Sequence, residues 1–85
     1  MKPLREFRIG PIKITAWSVT RPEGRAHQFI IERIYRQGEV WRTQKKFSRH
    51  QLRAIAELAL RAQRWSQEEE QKTIHDHAKR QRPVS

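Results

Sequence analysis

Phe47-Ser48-Arg49-His50-Gln51-Leu52 divides this chain of 85 residues into two halves with different periodicities. A serine followed three positions later by glutamine is the capping box of a helix N-terminus. The hydroxyl accepts a backbone N–H that has no intrahelical partner, and the glutamine reaches back to the serine N–H. Phe47, just before the cap, and Leu52, one turn beyond it, stand where a hydrophobic staple closes. A helix is therefore expected to start at Ser48, with a different kind of structure before it.

Downstream, at about 100° per residue, Leu52, Ile55, Ala56, Ala59 and Ala62 fall on one stripe. Leu58 and Trp65 widen it on one side and Leu60 on the other, while Arg53, Glu57, Arg61 and Arg64 take the opposite face. The arc is wider than a small sheet readily covers. Such a helix is either sunk deeply in its own domain or shared with a second copy, and short chains favour sharing. The expectation is a homodimer joined near Leu58, Ala62 and Trp65. Past Trp65 only Ile74, Ala78 and Val84 are apolar, so residues 66–85 read as a polar tail, a helical extension that frays into disorder.

Upstream, the period changes to two. Phe7–Ile9 is a short strand closed by Gly10-Pro11. Ile12 to Thr20 alternates: Ile12, Ile14 and Ala16 share one face, and Lys13, Thr15, Trp17, Val19 and Arg21 the other. Arg21-Pro22-Glu23-Gly24 is a turn, with proline at the first central position and glycine last. His27 to Gln37 is a long strand rich in β-branched and aromatic residues, with Phe29, Ile31, Arg33 and Tyr35 on one face. Gly38 supplies the positive φ of a tight hairpin, and Val40 to Phe47 returns with Trp41, Thr43, Lys45 and Phe47 on one side. The fold class is α+β: a four-stranded antiparallel sheet followed by one C-terminal helix, ββββα, over residues 1–65. Alternation alone does not say which face is inside; Phe29, Ile31 and Phe47 are assigned to the core.

The formal net charge is +10. It all lies in residues 1–65, because Glu68, Glu69, Glu70 and Asp76 balance Lys72, Lys79, Arg80 and Arg82 in the remainder. A small body carrying that charge repels itself unless it meets a polyanion. The chain holds no cysteine, which excludes disulfides and thiolate metal sites. No apolar run approaches the ~20 residues of a membrane span and no secretory signal is visible, so a soluble, cytoplasmic protein that does not engage membranes is expected.

Catalysis finds little support. The acids of residues 1–65 are scattered singly, Ser18 and Ser48 lack a nucleophile context, and three glycines make no phosphate loop. His75-Asp76-His77 is the one cluster resembling metal ligands. Two histidines two apart on a helix diverge by about 200° and cannot share a tetrahedral ion there. No enzyme, metal or cofactor is expected.

A basic and aromatic sheet face suits single-stranded nucleic acid, because bases stack on rings while Lys and Arg displace counterions from phosphates. The candidates are Lys13, Trp17 and Arg21 on the second strand, Arg33, Tyr35 and Arg36 on the third, and Trp41, Arg42, Lys45 and Lys46 on the fourth. Tyr35 and Trp41 fit a core position equally well.

The order of four strands and one capped helix, with Phe7-Arg8-Ile9-Gly10 opening the sheet and Arg33-x-Tyr35 in the long strand, resembles the single-stranded-DNA-binding modules of the transcriptional coactivator PC4 family and its Whirly-like relatives. The likeness covers residues 5–65. It implies a PC4-like fold, a dimer paired through its helices, and single-stranded DNA gripped by curved sheets. Thr43-Gln44-Lys45-Lys46 stands where that family carries a segment rich in glycine and lysine. The chain is also similar to a group of short bacterial proteins, through Ile9-Gly10-x-Ile12-Lys13, Trp17, Gly38-x-x-Trp41 and Phe47-Ser48.

The reading is thus a module that binds single-stranded nucleic acid, DNA before RNA, with little sequence preference. The alternative is a protein-interaction module that docks an acidic partner. A single helix after the strands offers no helix-turn-helix for duplex DNA.

Overall fold

The computed structural model describes residues 2–81, and the side chains of residues 2–72. Four strands, β1 (Arg5–Ile9), β2 (Ile12–Arg21), β3 (Gly24–Gln37) and β4 (Val40–Gln44), precede a single 3-10 turn at Arg49–Gln51 and the helix α1 (Leu52–Gln81). The strands form one antiparallel sheet in the order β1-β2-β3-β4. The ββββα arrangement expected from the change of period is the arrangement found.

Hairpin chemistry sets the register. Gly10 and Gly38 take φ of +55° and +63° at the first central position of their two-residue turns. That is the twist-matched hairpin turn with glycine first. Each turn carries the same brace: Arg8 Nε donates to the Gly10 carbonyl at 3.1 Å, and Arg36 Nε to the Gly38 carbonyl at 2.9 Å. Gly38 has open space where a Cβ would stand, so its requirement is one of dihedral angle alone.

β3 is the hub, and it is staggered. Its first ten residues pair with β2 and its last five with β4, with Arg33 opposite both Ile12 and Gln44. The β3–β4 hairpin therefore projects past the β1–β2 turn, tied to it by the Ile34 N–H and the Pro11 carbonyl at 2.7 Å.

The helix begins where the capping box lies: Gln51 Oε1 accepts from the Ser48 N–H at 2.8 Å. The staple is not drawn tight, because Leu52 remains 55% exposed while Phe47 packs against the core. β4 also stops at Gln44 rather than running to Phe47. Arg33 Nε, donating to the Lys46 carbonyl at 3.3 Å, holds the chain as it leaves the sheet.

α1 packs on β1 and β2. Phe7, Ile12 and Ile14 from the sheet meet Leu58 and Ala62 from the helix, with Ile9, Ile31, Phe47, Ala54, Ile55 and Trp65 around them. Three expectations are corrected here. The buried line of the helix runs through Ile55, Leu58, Ala62 and Trp65, not through Leu52, Ala56 and Ala59, which point outward. Leu58, at 0% exposure, and Ala62 are thus core residues of their own domain rather than a dimer surface, and Trp65 is held edge-on to Phe7 at 5.9 Å. Phe29, assigned to the core, is 37% exposed: the main contact of the helix is with β1 and β2.

Past the core, Trp65 stacks on His27 at 4.8 Å, and Ser66 Oγ shares a hydrogen bond of 2.6 Å with His27 Nδ1. α1 runs on to Gln81. The side chains of His75-Asp76-His77 and the basic tip at residues 80–82 lie outside the described ones.

Leu58→Ala should cost about 2–5 kcal/mol in urea unfolding, as a large-to-small change in a closed core does. Leu52→Ala should stay within about 0.5 kcal/mol, as an exposed change does. Gly38→Ala should cost about 1–2 kcal/mol through its dihedral angle alone.

Candidate nucleic-acid interface

Antiparallel partners share a sheet face, so the register sorts the candidate residues. Arg33 and Tyr35 lie on the side that carries the helix, with Arg42 opposite Tyr35. Lys13, Trp17, Arg21, Arg36 and Trp41 lie on the other side, which no helix covers. Lys45 and Lys46 sit beyond β4 on the segment leading to the helix. The ten residues therefore do not share one face.

They do share one region. Because α1 sits on β1 and β2, the β3–β4 hairpin is exposed on both sides of its ribbon. Arg33, Tyr35, Arg36, Trp41, Arg42, Lys45 and Lys46, seven of the ten, belong to this ribbon and its exit. Glu39, in the turn, is the acid among them.

Trp41 is the most available ring. It is 64% exposed, and the Arg36 guanidinium stands 5.9 Å from its centroid across the strand pair. The same guanidinium is anchored by its Nε on Gly38. One residue thus presents a fixed cation beside an open aromatic plate, the combination that suits a base and its phosphate.

The other residues are more constrained. Arg33 lies 5.4 Å from the Tyr35 ring and holds the Lys46 carbonyl, so this pair shapes the exit from β4. Lys13 is 21% exposed and pairs with Glu6 at 3.2 Å, with Glu32 as its cross-strand neighbour. The Glu6 carboxylate already offsets its charge. Trp17 is half-buried, and its indole N–H is buried without a hydrogen-bond partner among the described residues. Trp17, a candidate stacking residue, is thus less open than Trp41. Arg21 stands exposed at the far end of β2.

Arg8 is missing from the expected set although it lies exposed on the open side. Its signal was present: Arg8-x-Gly10 and Arg36-x-Gly38 are the same motif at two turns on one end of the sheet.

Among the described residues no three or more His, Asp or Glu gather as metal ligands, and no helix is long and apolar enough to cross a membrane. Compared with known proteins, the chain matches no family model, no curated protein and no solved structure.

Proposed function

We propose that this protein binds single-stranded nucleic acid, DNA before RNA, with little sequence preference, through the two-sided β3–β4 ribbon. The observation that carries this reading is the Trp41–Arg36 pair, an open ring and an anchored cation on a projecting hairpin. Arg42, Lys45 and Lys46 supply further phosphate contacts along the ribbon. Trp17 would add a second stacking surface, because turning its ring outward relieves a buried, unpartnered N–H. A PC4-like arrangement, which the order of elements resembles, would imply the same ligand class. A second copy, as that likeness implies, would have to use the outward line of Leu52, Ala56, Ala59 and Leu60, since Leu58 and Ala62 are already buried.

The rival reading is also motivated by the ribbon. β4 is an edge strand, and an extended acidic segment of another protein could add to it as a fifth strand. Base stacking separates the two, since only a nucleobase quenches Trp41 through ring overlap.

Titration of tryptophan fluorescence with single-stranded DNA, duplex DNA and RNA of equal length should show strongest quenching by a single strand. Trp41→Ala should cost about 1–3 kcal/mol of single-strand affinity and leave the urea midpoint unchanged. Trp17→Ala should lower that midpoint, because its ring is half-buried. Quenching and affinity untouched by Trp41→Ala would sink the ribbon assignment. The log–log salt slope should be about −2 to −4, at roughly 0.7 per phosphate neutralised, and Arg36→Gln with Arg42→Gln should flatten it by about 1.4. A flat slope in the parent protein would reject phosphate contact altogether.

A further inference from the structure

Away from the ribbon, the edge strand β1 and the helix enclose an open cleft of about 380 Å³ lined by Arg5, Glu6, Phe7, Arg8, Arg61, Arg64, Trp65 and Glu68. The four helical residues fall at i, i+3, i+4 and i+7, one stripe of α1 facing the strand. Arg5, on the helix side of β1, thus lines the cleft together with Arg61 and Arg64, while Arg8 borders it from the opposite face of the strand. None of these arginines makes a salt bridge among the described residues, whose ion pairs are Lys13–Glu6, Arg53–Glu57 and Lys72–Glu69. Of the two carboxylates in the cleft, Glu6 is taken up by Lys13 at 3.2 Å, and Glu68, one turn from Arg64, leaves the three arginines Arg5, Arg61 and Arg64 in excess. Arg5 stands 5.1 Å from the Phe7 ring, and Arg8 is braced on Gly10. The Phe7–Trp65 edge contact makes a firm floor. The outer edge of β1 has no neighbouring strand, so its outward backbone N–H groups have no sheet partner.

Crowding the like charges of Arg5, Arg61 and Arg64 around one cleft raises the energy of the free protein unless an anion enters. Guanidinium groups favour planar, multidentate contact with phosphate oxygens. We propose that this cleft is a phosphate-binding site, separate from the ribbon and independent of whether the ribbon binds nucleic acid. The phosphate belongs either to a nucleic-acid backbone passing round the β1 edge or to a free phosphate-bearing molecule.

The test is titration of the full chain with inorganic pyrophosphate, followed through the indole N–H of Trp65 and the arginine Nε–H signals by NMR. Saturable shifts centred on Trp65, Arg5, Arg61 and Arg64 are expected. Arg61→Gln with Arg64→Gln should weaken binding about tenfold or more, and Arg36→Gln on the ribbon should leave it unchanged. Both helix positions are exposed and glutamine keeps helix propensity, so the fold should survive. Pyrophosphate should raise the Tm of the parent and not of the double variant. Absence of saturable shifts, equal binding by the double variant, or equal loss in Arg36→Gln would each overturn the site. The last would show attraction to overall charge alone. Single-stranded DNA then identifies the source. A salt slope flattened by about 1.4 in the double variant puts a nucleic-acid backbone in the cleft. An unchanged slope beside intact pyrophosphate binding in the parent assigns it to free phosphate-bearing molecules.

Discussion

The contact of Leu58 and Ala62 with Phe7, Ile12 and Ile14 decides the rest of the molecule. A chain this short has apolar surface for one helix–sheet contact and little more. The helix takes the half of the sheet where β2 presents Ile12, Ile14 and Ala16 and β1 presents Phe7 and Ile9. β3 past Ile31, and all of β4, are left to hold themselves by backbone pairing, turn geometry and arginine side chains. The exposed ribbon is therefore a consequence of how little core there is.

Arginine does several structural tasks in the space that apolar side chains do not reach. Arg8 and Arg36 brace the turns, Arg33 clamps the exit from β4, and Arg5 covers the rim of Phe7. A guanidinium can hydrogen-bond through Nε while its terminal nitrogens stay in water, and its flat face rests against a ring. Positive charge and structural bracing are here carried by the same side chains, which couples the rigidity of the ribbon to its electrostatics.

Much of this was legible in the sequence. The capping box placed the helix start, glycine and proline placed the turns, and alternation placed four strands. The angular centre of the buried helix stripe was less accessible. Ala56, Ala59 and Leu60 have the same periodicity as Leu58, Ala62 and Trp65, and only the sheet's own shape selects between two neighbouring lines. Face assignment had the same limit. Arg33-x-Tyr35 and Lys13-x-x-x-Trp17 look alike as alternating basic and aromatic residues, yet register puts them on opposite sides. The arginine cleft could not be read at all, since it joins Arg5 and Arg8 to Arg61 and Arg64 across most of the domain.

Past Ser66 and Glu70, which still lie beside the end of the sheet, the helix runs on to Gln81 as a rod, and this governs how the protein moves through solution. The radius of gyration is 17.1 Å and the extents are 64 × 26 × 21 Å. A compact chain of this length would have a radius near 12 Å, and two copies folded into one globule about 15 Å. A single copy therefore diffuses and elutes like a larger particle. Its apparent size in gel filtration overlaps that of a dimer, so mass, read by light scattering, is the quantity that counts its copies.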